Sequence, residues 1–333
     1  MDEFITLDYG SGGKKTSALI QDMLLPLFHN SALDELGDGA IVPGADRLVV
    51  STDSFVVSPY IFPGGDIGKL SVCGTVNDVC MAGGIPKYLT FSLVLEEGLP
   101  LRDLKRIAES VRDTAEKAGV RVITGDTKVV ERGRGDGIYI NTTGIGTLRI
   151  PGLSPKRMMP GDRVIVSGTV GDHGTAVMLA RNPNLVEAEL ISDCAPLHRE
   201  AAALEALGEQ LRVMRDPTRG GLATTLNEFI EDGSLGIDIR EEAVPVLPAV
   251  RMASEILGLD PFYAACEGRL IAVVEASAAD RALELLKGTE GGAGAAVIGE
   301  VTSDHPGKLV IRTPLGGGRI AEKLAGAQLP RIC

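Results

Sequence analysis

Four aspartates stand where a divalent cation could be held. Asp53 closes the apolar segment 48–52, and Asp126 closes 120–124 with Gly125 between. Asp38 lies in the turn Gly37-Asp38-Gly39, and Asp78 follows Asn77 inside an apolar stretch. Magnesium takes hard oxygens, usually one or two carboxylates completed by phosphate and water. α/β folds place such ligands at strand ends. Taken singly, Asp38 also reads as an ordinary turn residue. Asp78 has no capping role among Val76, Val79 and Cys80, and burying it unpaired would be costly. Three glycine clusters can turn backbone N–H groups toward an anion: Gly10-Ser11-Gly12-Gly13, Gly64-Gly65 and Gly220-Gly221. The first is not a Walker loop, because Asp8 occupies the first glycine position and Lys15 follows Lys14. It is not a dinucleotide fingerprint either, so a flexible turn is the competing reading.

The last residue adds a nucleophile. Cys333 leaves no room for a C-a-a-X prenylation signal. Fully extended, the fifteen residues from Arg319 onward would carry its thiol about 50 Å. Its own carboxylate would raise the thiol pKa, and Arg331 or a bound cation would oppose that. From position alone an incidental cysteine is the simpler reading. Cys73 and Cys80, seven apart on an apolar face, read as core.

The elements that must carry these residues alternate between helix and strand in two halves. The 333 residues suffice for two domains, and 44% hydrophobic with 23% charged residues excludes wholesale disorder. A net charge of −12 without a Lys/Arg run argues against nucleic acid. No apolar run of about 18 residues is present, and the start lacks a basic-then-apolar leader. A cytoplasmic protein with reduced thiols is expected, since five cysteines without a C-x-x-C fit neither a disulfide framework nor a zinc site. The periodicity predicts helices over 16–28, 66–81 and 101–118 and strands over 47–53, 87–95, 120–124 and 137–148. Asp66 caps the second helix. After the break at 151–155, it predicts strands over 163–167 and 236–240 and helices over 175–181, 198–211 and 221–230. Helix, strand, helix and two strands follow between 248 and 313. A short helical piece follows Gly316-Gly317-Gly318, and then an extended end. The expected units are a glycine loop and helix over 1–37, an α/β domain over 38–150, a second over 155–313 and a mobile tail over 314–333. The sheets are expected to be mixed, because some strands follow one another directly.

Several segments together resemble one family. They include Ser51-Thr52-Asp53-Ser54-Phe55, Phe62-Pro63-Gly64-Gly65-Asp66-Ile67-Gly68-Lys69 and Thr75-Val76-Asn77-Asp78. Further on come Thr124-Gly125-Asp126-Thr127-Lys128, Ile140-Asn141-Thr142-Thr143-Gly144, Arg215-Asp216-Pro217-Thr218-Arg219-Gly220-Gly221 and the ending Pro330-Arg331-Ile332-Cys333. In order and across the whole chain, these resemble the hydrogenase maturation carbamoyl dehydratase family, within the aminoimidazole ribonucleotide synthetase-like superfamily. The resemblance implies a two-domain α/β fold whose N-terminal mixed sheet closes a β-barrel with a second copy in a homodimer. It implies ATP and Mg2+ as cofactors. It implies a carbamoyltransferase that loads Cys333, ATP-dependent dehydration of that thiocarbamate to a thiocyanate, and an iron-binding scaffold complex that accepts the cyanide. By the same resemblance Asp38, Asp53, Asp78 and Asp126 face magnesium, and Lys69, Asn77, Asp126, Asp216, Arg219 and Asn227 face the nucleotide. Cys333, Glu267, Lys128 and Asp78 are then the catalytic group, with Glu267 as base.

The chemistry fits those residue types. Hydroxide does not leave at neutral pH, whereas a phosphorylated oxygen does, and a base must take N–H protons for C≡N to form. Phosphoryl transfer is chiefly positioning by metal and cations. The sequence departs from the family at Cys266 (usually Asn), Arg269 (usually Lys), Tyr9 (usually His) and Gly37 (often a second Asp in the superfamily). If Cys333 enters the pocket of Cys266, the two thiols would pair under oxidation. Two alternatives stand beside the dehydratase. One is a small-molecule ATP-dependent synthetase or kinase of the same superfamily, indifferent to Cys333. The other is a passive carrier that binds ATP without consuming it.

Overall fold

The computed structural model describes residues 2–182, 189–324, 326 and 331–333. The first helical stretch is α1 (Lys14–Ala18), a π-helical turn (Leu19–Leu24) and α2 (Leu25–Phe28). Pro26 cannot donate to the residue four before it, and the chain answers by widening: Leu25 N–H reaches back five residues to the Ile20 carbonyl.

The N-terminal sheet has the order β1-β6-β4-β5, built from β1 (Leu48–Phe55), β4 (Gly84–Glu96), β5 (Arg121–Val130) and β6 (Ile138–Leu148). Only β4 and β5 run parallel. A small hairpin, β2 (Ile61–Phe62) and β3 (Gly65–Asp66), leads into α3 (Ile67–Met81). Asp66 caps α3 as expected, its Oδ1 accepting from Gly68 and Lys69 N–H. α3 is buried on nearly every side, because it fills the space between the sheet and α4 (Leu101–Ala118). Thr142 Oγ1 meets Thr75 Oγ1 at 2.5 Å, fastening α3 to β6. The opposite face of the sheet is uncovered, with Leu48, Val50 and Val94 exposed. Both edge strands, β1 and β5, lack a sheet partner on their outer sides, so a single chain forms an open sheet and no closed barrel.

The second half holds a seven-stranded sheet of order β13-β12-β9-β11-β7-β10-β8. Its strands are β7 (Arg163–Val166), β8 (Leu211–Arg215), β9 (Gly236–Arg240), β10 (Ile271–Val274), β11 (Ala296–Thr302), β12 (Leu309–Arg312) and β13 (Gly318–Ala321). Its helices are α5 (Asp172–Arg181), α6 (His198–Leu204), α7 (Gly221–Phe229), α8 (Pro248–Leu257) and α9 (Ala279–Lys287). Alternate residues of β7 and β10 feed different cores. Val164, Val166, Ile271 and Val273 pack with α7. Ile165, Ala272 and Val274 join a core that continues into α3 and the N-terminal sheet. The two halves therefore share apolar packing, and the cleft between them has a fixed floor.

Three expectations need correction. The predicted helix over 198–211 ends at Leu204; a 3-10 segment with Gly208 at φ 55° then turns the chain into β8. The piece after Gly316-Gly317-Gly318 is β13, an edge strand on β12, and not a helix. Asp53 and Asp126 lie inside longer strands and not at their ends.

Candidate active site

The cleft between the halves collects one set of residues. Asp53 comes from β1 and turns toward α3, as do Ser51 and Phe55 in the alternating pattern of that strand. Asp78, one turn from the end of α3, accepts from Ser51 Oγ at 2.7 Å. Asp216 and Arg219 come from the turn between β8 and α7, and the Arg219 guanidinium stands 3.7 Å from Asp53. Gly220 and Gly221 both take positive φ there, and a Cβ on Gly221 would lie 2.5 Å from the Ala264 carbonyl. That turn is therefore closed by packing, and glycine is required for the close approach.

Glu267 forms the floor. Its backbone is pinned: Glu267 and Gly268 N–H donate to the Asp193 carboxylate at 3.2 and 3.3 Å. Arg269 stands 3.7 Å from both Asp172 and Asp193. The Glu267 side chain is 1% exposed, and its Oε1 has no hydrogen-bond partner. Burial above all, then the charges of Asp216, Asp193 and Asp53, push this carboxyl well above the usual range. Asp216 is pushed up to about 7 by burial and by Asp78 and Asp53, with Arg215 opposing. Asp78 rises for the same reasons, with the Ser51 hydrogen bond opposing.

The chain's last residues enter this cleft. The Arg331 guanidinium donates to the Val56 carbonyl at 3.1 and 3.2 Å and pairs with Asp136. Ser58 N–H and Arg181 hold the Arg331 carbonyl. Ile332 is buried, and its carbonyl meets His173 Nε2 at 2.9 Å. Cys333 lies among Glu267, Arg219 and Asp53 beside a cavity of about 410 Å3 bordered by Ser54, Thr224, Tyr263 and Lys323. Burial and Glu267 push its thiol up to about 12, against Arg219. Cys266 is elsewhere: it is fully buried in the α7-side core, with its sulfur 3.2 Å from the Gly171 N–H. The condition for a Cys266–Cys333 pair is not met in this structure; Ala265 is the neighbour that borders the tail cavity.

The remaining predicted residues divide. Asn77 spends its amide on main chain, accepting from Leu197 N–H at 2.7 Å and donating to the Ala195 and Glu267 carbonyls. Asn227 likewise ties α7 to the Ala321 carbonyl at 2.9 Å. Lys69 Nζ donates to the Gly64 carbonyl at 2.8 Å. The Gly10-Ser11-Gly12-Gly13 turn closes on itself through Gly12 N–H and Thr16 Oγ1.

Asp126, Lys128 and the Asp38 turn form a second region. β5 lies three strands from β1, about 14 Å at the usual interstrand spacing. Asp126 shares a row with Ser92, Asn141 and Ser54 on the open face, whereas Asp53 faces α3. Lys128 Nζ sits 2.5 Å from Asp126, and both are exposed. Gly37 and Gly39, flanking the exposed Asp38, line a cavity of about 370 Å3 together with Phe28, Leu33, Phe91 and Asp126. One chain therefore brings Asp53 and Asp78 together and leaves Asp38 and Asp126 apart from them. Among the described residues, no three His, Cys, Asp or Glu side chains are placed to hold one metal ion. Sequence reasoning missed Ser51, Asp193, His173, Ser192 and Arg181. The bracket Gly171-Asp172-His173-Gly174 was a visible signal for His173.

Comparison with known proteins agrees with this geometry. Residues 36–148 match the family "AIR synthase related protein, N-terminal domain", and 159–312 match its C-terminal domain. A carbamoyl dehydratase HypE of Cupriavidus necator is 48% identical over 99% of this chain and 95% of its own length. A hydrogenase maturation protein HypE solved in complex with ATP superposes with a TM-score of 0.94 at 46% identity, covering 98% of this chain and 99% of that one. A HypE–HypF complex gives 0.80 at 45% identity, covering 92% and 100%. A full-length match at this identity, with the cleft and tail in place, makes the chain a member of the HypE family of hydrogenase maturation carbamoyl dehydratases.

Proposed function

We propose that this protein dehydrates an S-carbamoyl group on its own Cys333 to a thiocyanate at the expense of ATP. The observation that carries the reading is the docked tail: Ile332 is buried with its carbonyl on His173, and the terminal thiol borders the same cavity as Arg219, within electrostatic reach of Glu267. The carbamoyl oxygen takes the γ-phosphoryl group of ATP as ADP leaves, and one N–H proton is lost. Phosphate then departs with its C–O bond, the second N–H proton goes to a base, and C≡N forms. Glu267 suits that base, because its Oε1 is free and burial makes its carboxylate a stronger proton acceptor than an ordinary one. Arg219 balances negative charge at the thiocarbamate.

The donor set fits magnesium arriving with phosphates better than bare magnesium. Asp53 and Asp78 supply hard oxygens, and Asp216 adds negative charge. Bound there, Mg2+ supplies charge neutralisation for the transferring phosphoryl group. The 370 Å3 cavity, partly apolar, suits a nucleobase. A homodimer supplies what one chain lacks. If the free edge of β1 pairs with β5 of a second copy, the sheets close into a barrel, and Asp126 and Lys128 of the partner subunit come alongside β1. A carbamoyltransferase loads the tail, as the HypE–HypF complex of a relative suggests. An iron-binding scaffold then takes the cyanide. No helix among the described residues is long and apolar enough to cross a membrane. The work is assigned to the cytoplasm because the terminal thiol must stay reduced to be loaded.

The test is the mass of the C-terminal peptide. After incubation with the carbamoyl donor system, Cys333 should carry a carbamoyl adduct, and Mg2+ with ATP should remove one water from it. ATP hydrolysis without an adduct, unchanged in Cys333→Ala, would favour a small-molecule kinase or synthetase. An adduct that never loses water would favour a passive carrier.

A further inference from the structure

We propose that His173, oriented by Ser192, is the positioning residue that seats the tail by donating its Nε2–H to the Ile332 carbonyl. His173 is the second residue of α5 and is wholly buried. It touches neither nucleotide-facing carboxylate nor the Cys333 thiol, yet both of its ring nitrogens are used. Nδ1 lies 2.7 Å from Ser192 Oγ, and Nε2 lies 2.9 Å from the Ile332 carbonyl. A carbonyl only accepts, so Nε2 carries the hydrogen. Burial drives the imidazole pKa down to about 4, so the ring is neutral and has a single N–H. Nδ1 must then accept, and Ser192 must donate to it. Ser192 Oγ in turn accepts from Cys194 N–H at 3.0 Å. The chain of donors thus runs one way, from Cys194 through Ser192 and His173 to the tail.

Both halves of the molecule hold this arm in place. The Phe62 ring meets the imidazole edge-on, with centroids 5.3 Å apart. Ser192 N–H donates to the Pro63 carbonyl at 2.9 Å, and Gly64 at φ +93° lets that loop lie against Ser192, where a Cβ would be 2.8 Å from its nitrogen. The tail meets the site by main chain: Ser58 and Arg181 hold the Arg331 carbonyl, and His173 holds the next one. Arg331 takes φ 56°, a left-handed turn that sends Ile332 inward. When the tail leaves for loading, the imidazole N–H loses this acceptor, which favours return. The role of this seat in dehydration rests on the proposed reaction; the seat itself does not.

The test uses the full-length protein without carbamoyl donor or ATP. Iodoacetamide labelling of each cysteine is followed by peptide mass. In wild type, all five thiols should label slowly. In His173→Ala, Cys333 should label about tenfold faster, the effect of one lost buried hydrogen bond, while Cys73, Cys80, Cys194 and Cys266 stay protected. His173→Gln, whose amide can reach the same carbonyl, should recover part of the protection. In a separate assay with the donor system, His173→Ala should be carbamoylated at the wild-type rate and, once carbamoylated, should dehydrate more slowly in single turnover with ATP. Cys333 labelling at the wild-type rate in His173→Ala, with the other thiols protected, would overturn the proposal. If all five thiols become reactive, the variant has unfolded and Ser192→Ala decides by the same readout: selective labelling of Cys333 supports the seat, and no change overturns it. Because labelling needs no turnover, a wild-type protein that fails to dehydrate would sink the reaction while leaving the seat measurable.

Discussion

The cleft around Cys333 and the rim around Asp126 are built by opposite rules. In the cleft, ionisable groups are buried, crowded and held by main chain. Asp193 grips two amides, Asn77 grips three groups, and Glu267 is forced into place with an unpaired oxygen. On the rim, Asp126 and Lys128 are exposed and pair with each other, and Asp126 accepts besides only from the adjoining Thr127 N–H among the described residues. An exposed ion pair of this kind contributes little to folding. The cleft is complete within one chain, whereas the rim has its charge and lacks a counterpart. The difference teaches that the nucleotide end of the site is expected to be finished by a second copy, and the thiol end is not.

The largest expected effect is at the thiol. Cys333→Ala should abolish thiocyanate formation, a loss of about a thousandfold or more by peptide mass, without changing the melting temperature. Glu267→Gln comes next: dehydration should fall by about two to three orders of magnitude in single turnover. Its melting temperature should rise by a few degrees, because an ionisable group buried near Asp216, Asp193 and Asp53 gives way to a neutral one. A fall in melting temperature would make Glu267 structural and erase the contrast with the rim. Third, Lys128→Ala should fold like wild type and lose turnover. Mixed with Cys333→Ala, it should recover about a quarter of wild-type turnover, since half of random dimers are mixed and each has one intact site. No recovery would place Lys128 and Cys333 in the same chain's site.

The smallest effect is in pH. Asp216 titrates near 7 in the fold, against an ordinary 3.8. The folded state binds that proton more tightly, so this group's contribution is complete below about pH 4 and is lost as pH climbs through 7. In EDTA, calorimetry should show a melting temperature that falls across that window, and Asp216→Asn should flatten the slope. Adding Mg2+ with ATP should raise the melting temperature more at pH 8 than at pH 5.

Local signals carried much of the fold. Asp66 before an apolar run gave the cap of α3, and Gly119 after the 3.6-residue pattern gave the end of α4. β8 was hidden because 198–204 and the following turn share helix-forming residues. The break is at Gly208, whose left-handed φ no periodicity reveals. β13 is set by its pairing with β12, a non-local cause. In the site, residue types pointed to Asp53, Asp78 and Cys333, and only the family resemblance pointed to Glu267. The sorting of Asp126 and Lys128 onto the other face depends on strand register. The glycine bracket marked His173, but its role stayed hidden because its partner is a main-chain carbonyl at the far end of the chain.

The docked thiol carries a consequence for timing. At pKa about 12, roughly one molecule in a hundred thousand is a thiolate at pH 7; an unhindered cysteine near 8.5 is ionised in a few per cent. Leaving the cleft therefore raises the nucleophile's concentration by about three orders of magnitude. On the proposed reaction, reactivity is switched by address: outside, the sulfur would attack an incoming carbonyl, and inside, it would only anchor the group it carries. An empty arm resting at home is shielded from stray electrophiles and peroxide, so the protein can wait between loadings without consuming its own nucleophile.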